Sequence, residues 1–178
     1  MRAEIEPVTE ATKEAFYALA CEYLPDTDPE QAEVMRGRYP SAFLVLKVDG
    51  EVTGAAFGWP RSERVPGDPS FTLQGICVRQ ERMRMGLGSR LLRAFEQNAA
   101  KNPCTVIGAG SAPGDAERFY LKNAYHPSCY KAFDPSGQCH IYPFASMEEY
   151  LAFDREAFRA SVQGDEGFVV MEKALPVR

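Results

Sequence analysis

Apolar residues recur along the chain with two different periods, and the switches between them outline its elements. Residues 3–6 form a short strand pattern. Phe16, Leu19, Ala20, Tyr23 and Leu24 then return with the spacing of one helix face until Pro25 stops them. Asp28 followed by Pro29 has the form of a cap with proline in the first turn, opening a second short helix that ends near Gly37. In AFLVLKVDGEVTGAAFGW the period changes, and two apolar strands are joined by Asp49-Gly50, a pair suited to the positive φ angles of a tight hairpin turn. A loop rich in proline, glycine and charge, residues 60–69, leads to a third strand, SFTLQGICV. Its interior Gly75 marks a bulge or a close backbone approach.

Further on, Leu87, Leu91, Ala94, Phe95 and Asn98 share a helix face that Asn102-Pro103 ends. CTVIGAG reads as a short buried strand, and in GDAERFYLKNAY the face is made by Ala116, Phe119, Tyr120 and Asn123. A strand pair follows near residues 130–133 and 138–142. Ser146-x-x-Glu149 then caps one helix, and GFVVMEKAL is a final strand. The order β-α-α-β-β-β-α-β-α-β-β-α-β, with no repeat and no interdomain linker, predicts a single α/β layered domain over residues 1–178. Its sheet is mixed and mostly antiparallel, flanked by helices, with one central strand-helix-strand crossover.

Composition narrows the function. With 20 Lys and Arg against 25 Asp and Glu, a net charge of −5 and no long basic tract, the chain lacks the footprint of a nucleic-acid binder. No apolar run approaches the ~20 residues that span a bilayer, so no membrane partner is expected. The five scattered cysteines form no C-x-x-C pair, and the first residues carry no apolar leader, which together predict a reducing, cytoplasmic setting.

The chemistry concentrates in ERMRMGLGSRLL, where Gly86 and Gly88 stand at the mouth of an otherwise good helix. Each costs a helix roughly 0.5–1 kcal/mol relative to alanine, so the backbone there is expected to meet something closely. A glycine-rich turn between strand and helix offers free amides and the positive end of the helix dipole to an anion, most often a phosphate. Arg79, Arg82, Arg84 and Arg90 surround the turn. The P-loop lysine is missing, and the dinucleotide fingerprint fails because position 91 is leucine.

VRQERMRMGLGSRLL resembles the acetyl-CoA-binding motif of the GNAT superfamily of N-acetyltransferases, with Val78, Gly86 and Gly88 at matching positions. It departs from the usual pattern at Gln80, where proline is common, at Met83, where Gln or Arg is usual, and at Arg84, where glycine is common. AERFYLKNAY is similar to the family's next helix, with Ala124-Tyr125 replacing Gly-Phe, and FVVMEKAL to its last strand. The resemblance therefore runs nearly the length of the chain and implies the GNAT fold, whose central strands splay apart.

It also implies an N-acetyltransferase that moves an acetyl group from acetyl-CoA to a primary amine of a small molecule or peptide by direct attack. Backbone groups of Ile76, Cys77 and Val78 would hold the pantetheine arm, and Arg84, Met85, Gly86, Leu87, Gly88 and Ser89 the pyrophosphate. Tyr120 would touch the acyl donor and act as general acid. Gln74 stands in the strand region where many relatives carry a glutamate, so the base falls to a water, Glu22 or Glu117. Tyr17, Tyr23, Trp59, Phe71 and Gln74 are candidate acceptor walls, and acidic Glu22, Asp26 and Asp28 suit a cationic amine. Cys77 reads as packing rather than as a nucleophile.

Two rivals keep the turn but change its use: a non-catalytic acyl-CoA-binding or regulatory module on the same fold, and a phosphate-binding module unrelated to CoA. His126, Cys129, Cys139 and His140 do not have the spacing of a common zinc finger, so no metal is expected. Residues 130–166 exceed a minimal family member and are expected to cap the acceptor site or form a homodimer contact.

Overall fold

A computed structural model describes residues 2–176, which divide into two compact units. One runs up to Ile107 and takes the chain back from Ala174; the other is Gly108–Lys173.

The first unit is an antiparallel meander of β1 (Ala3–Pro7), β2 (Phe43–Val48), β3 (Glu51–Pro60) and β4 (Ser70–Val78), in that order. Asp49 and Gly50 turn β2 into β3 with φ of 52° and 90°, the left-handed pair that a two-residue hairpin needs. β2 is buried on both faces, which is why its sequence is a continuous apolar run rather than an alternation. One face is covered by α1 (Lys13–Tyr23), whose Phe16, Leu19 and Ala20 join Phe43, Val45, Phe57, Trp59 and Cys77 in one cluster. The other face carries α3 (Leu87–Ala99) through Leu87, Leu91, Leu92, Phe95 and Ala99. Beside α1 lies α2 (Pro29–Arg38), capped by Asp28, whose carboxylate accepts from the amides of Glu30 and Gln31. Glu33 accepts from Tyr17 and Arg36 and pairs with Lys13, fastening α2 to α1, and its carboxyl is held well below the usual range, chiefly by Arg36.

The bulge expected near Gly75 is present. Phe57 pairs with Gly75 while Gly58 pairs with Leu73, so Gln74 is the extra residue of β4. It resets the alternation: Gly75 and Cys77 face α1, whereas Leu73 and Phe71 face α3, with the Phe71 ring 5.7 Å from that of Phe95.

The second unit holds most of β5 (Val106–Ser111), then α4 (Asp115–Lys122), β6 (His126–Phe133), β7 (Cys139–Pro143), α5 (Met147–Ala152), α6 (Arg155–Ser161) and β8 (Gly167–Ala174). Its strand order is β5-β8-β6-β7, with β6 antiparallel to both β7 and β8. Sequence periodicity predicts one helix after Ser146; there are two. Ser146 caps α5 as expected, but Asp154 accepts from the Ala157 amide and starts α6 afresh. Both are held by rings: Tyr142 stacks on Phe153 at 4.5 Å, and Tyr130 meets Phe153 and Phe158. No helix among the described residues is long and apolar enough to cross a membrane.

Candidate active site

β4 delivers the chain to the glycine turn. The Arg79 amide donates to the Thr53 carbonyl at 2.8 Å, which fixes the phase of the β3–β4 ladder. Because hydrogen-bonded and non-hydrogen-bonded pairs alternate in an antiparallel ladder, Cys77 bonds with Ala55, and the N–H and C=O groups of Ile76 and Val78 point to the edge away from β3. Cys77 is thereby corrected as a cofactor contact. Its backbone is spent on β3, and its thiol lies in the α1 cluster, pushed up to about 11 by burial. That thiol stays protonated and unreactive at neutral pH.

After Val78 a tight turn, Gln80–Arg82, is braced by the Tyr23 hydroxyl, which accepts from the Gln80 amide at 3.4 Å. Arg84 then takes φ of 61° and Gly86 φ of 76°, and α3 starts at Leu87 with no side chain capping it. The amides of the first turn are the ones a helix leaves without intrahelical partners. A Cβ placed on Gly86 would meet nothing within 4 Å, so glycine is there for its left-handed backbone and the space before it is open. Open space, uncapped amides, the dipole of a 13-residue helix and an exposed Arg84 fit a pyrophosphate. The four arginines are not equivalent. Arg90 donates to the Ala3 carbonyl and Arg79 lies 3.8 Å from Glu51, whereas among the described residues Arg82 and Arg84 enter no ion pair. Leu87 offers only its amide, its side chain being core. Met85 is exposed and Gly88 and Ser89 are half-buried.

In the second unit Tyr120 lies on the inner face of α4, 6% exposed, its ring 5.3 Å from that of Tyr125. Burial raises its phenol above the usual range, so it holds its proton. Among the described residues no hydrogen bond reaches its hydroxyl. The helix ends on Ala124 with φ of 65°, at a position where the motif usually has glycine, and Arg84 likewise holds a left-handed backbone where glycine is common. A non-glycine residue in that region costs about 1 kcal/mol or more. Ala124→Gly is accordingly expected to raise the melting temperature by about 2–4 °C, read by calorimetry; a fall would show that the alanine methyl is packed rather than strained.

The acceptor candidates fare unevenly. Trp59 and Phe71 are corrected to core: Trp59 stacks on Phe43 and is 5% exposed, and Phe71 is fully buried between Tyr39 and Phe95. Neither can wall a pocket, because α1 and α3 cover the two faces on which they lie. Tyr17 is engaged by Glu33, and Tyr23 serves the turn. Gln74 is exposed at the bulge and Glu22 is exposed on α1. Glu117, a candidate base from the sequence, is instead held in an ion pair. It is 4% exposed, Arg155 donates to both of its oxygens at 2.6 and 2.8 Å, and the Tyr150 hydroxyl donates to one of them. Arg155 and Tyr150 escaped the sequence reading. The sequence places the buried face at Ala116, Phe119, Tyr120 and Asn123, whereas the structure turns Glu117 inward with Tyr120, and a carboxylate so buried needs a cation.

The histidines and cysteines of β6 and β7 are dispersed by the strand register, Cys129 opposite Pro143 and His140 opposite Ala132. His140 instead pairs with Asp134 at 2.9 Å. Among the described residues no group of three or more His, Cys, Asp or Glu could hold a metal ion.

Residues 6–125 match the acetyltransferase (GNAT) family. Over 99% of its length the chain is similar in fold to all of Ard1 from Thermoplasma volcanium, at 17% identity and a TM-score of 0.69. Naa50 of Arabidopsis thaliana, solved with the bisubstrate analogue CoA-Ac-MVNAL, matches 97% of this chain and 99% of its own at 12% identity and a TM-score of 0.66. An aminoglycoside 6'-N-acetyltransferase complexed with coenzyme A matches 98% of each chain at 15% identity and a TM-score of 0.67.

Proposed function

The chain belongs to the GNAT acetyltransferase family, an acyltransferase that uses acetyl-CoA, and from that premise we propose that it acetylates a primary amine of a small molecule or peptide by direct attack. The observation that carries this reading is the left-handed turn at Arg84 and Gly86, which opens α3 onto uncapped amides directly after a strand edge bearing the backbone groups of Ile76 and Val78. When bound, acetyl-CoA supplies the thioester whose carbonyl the amine attacks, with the CoA thiolate as leaving group.

The chain's own groups divide the remaining work. The amides of Gly86, Leu87, Gly88 and Ser89, with Arg84, hold the pyrophosphate, and the outward edge of Ile76 and Val78 orients the pantetheine amides. Tyr120, kept protonated by burial, supplies a proton to the departing sulfur. Of the two carboxylates named for the base, Glu117 is committed to Arg155, which leaves Glu22 or a water. Gln74 and Tyr23 remain the acceptor-side candidates. We further propose that residues 1–178 act as one acyltransferase domain, and a reducing cytoplasm suits the five free cysteines. For residues 130–166 the two roles are a cap over the acceptor and a contact between two copies; outward Ile141, Tyr142 and Leu151 support the second.

Thiol release from acetyl-CoA, measured over polyamines, aminoglycosides, amino acids and peptides with free N-termini, tests the reading. Turnover with an acetylated product on one class confirms the enzyme and names the acceptor. CoA binding with no release on any class favours the non-catalytic module. Arg84→Glu is expected to weaken CoA binding about tenfold at low salt, with the gap narrowing as salt rises. Calorimetric titration at two ionic strengths checks this, and an unchanged Kd removes Arg84 from the site.

A further inference from the structure

The ion pair between buried Glu117 of α4 and half-buried Arg155 is not used by the chemistry just described, yet it sits one turn from the residue that is. Glu117 and Tyr120 are the buried pair of this eight-residue helix, three positions apart and hence on one face. Gly114 at its start gives no side-chain cap, and a helix this short takes its direction from tertiary contacts rather than from its own hydrogen bonds.

Three features make the Glu117 cluster an aligning contact. The Arg155 guanidinium engages the carboxylate through both nitrogens, a planar fork that fixes direction as well as distance. Arg155 is the first residue of α6, where the helix dipole disfavours a cation, so its placement answers Glu117 and not the needs of α6. Tyr150 of α5 donates to the same carboxylate, and the Arg155 guanidinium lies 5.6 Å over the Tyr150 ring. Desolvating the Glu117 carboxylate offsets much of what the pair gains over an apolar replacement, so its contribution in this inference is a defined geometry. The Tyr120 hydroxyl, with no hydrogen bond of its own among the described residues, points wherever α4 is held.

We infer that Glu117, Arg155 and Tyr150 are positioning residues that clamp α4 from the α5–α6 pair and thereby aim the Tyr120 hydroxyl, an inference that rests on Tyr120 being the acid. A double-mutant cycle tests it. Arg155→Met is expected to lower kcat about tenfold with KM for acetyl-CoA within about twofold, and Arg155→Lys, which keeps the charge but not the fork, to fall between. In the Tyr120→Phe background the same Arg155→Met change should cost less than about twofold more, because its route to the reaction is already gone. Equal costs in both backgrounds overturn the inference.

Glu117→Leu/Arg155→Met guards against a simple folding defect: stability recovered with kcat still low supports positioning, and kcat recovered as well overturns it. Without any donor present, hydrogen exchange over residues 115–122 should quicken in Arg155→Met, and unchanged exchange counts against the clamp. If Tyr120→Phe alone keeps wild-type kcat, the acid assignment falls and the inference with it. If Tyr120→Phe is slow but Arg155→Met is not, only the clamp falls.

Discussion

Replacing Tyr120 by phenylalanine is expected to lower kcat about a hundredfold while KM for acetyl-CoA stays within about twofold, the lower end of what a general acid contributes. The substitution removes one oxygen from a ring that is already packed against Tyr125, so the fold has little to lose. The phenol's raised pKa sets the pH dependence: the acid form persists through neutral and mildly alkaline conditions, and the amine's own deprotonation governs the rise of rate with pH. The wild type should therefore gain activity up to about pH 10 with no alkaline fall from loss of its acid. A rate that drops above neutrality, or a phenylalanine variant as fast as the parent, would remove Tyr120 from the chemistry.

Gly58→Ala is expected to be the most destabilising single methyl in the first unit. A Cβ there would stand 2.1 Å from the Thr72 carbonyl oxygen and 2.8 Å from the Phe95 ring. The ring can turn, but the carbonyl is backbone of the paired strand and cannot yield without opening the β3–β4 ladder. We expect a loss of about 3 kcal/mol and a melting temperature lower by about 6–12 °C, read by thermal unfolding. A shift below about 2 °C would mean that the strands do not approach this closely.

Both expectations draw on what the sequence could and could not disclose. The meander, the capped helices and the glycine turn were legible because each carries a local cause: alternation, Asp28 before a proline, Asp49-Gly50, and two glycines before an amphipathic helix. The acceptor candidates Trp59 and Phe71 were not. An aromatic residue near a strand end looks the same whether a helix or a ligand covers it, and here α1 and α3 do. Glu117 misled for the opposite reason. Its burial depends on Arg155, 38 residues away, and on a helix break at Asp154 that periodicity had smoothed over. Local rules set elements; the partners of a buried charge come from tertiary structure.

The extra residue at Gln74 has a consequence for how this gene can vary in length. Because it shifts the reading frame of in-and-out side chains along β4, loss of that single codon would swing Leu73 and Phe71 from α3 onto the side already filled by Phe57 and Trp59. Insertions and deletions should accumulate in the polar connection at residues 60–69, where no such phase is kept, and be purged from the few residues that follow it.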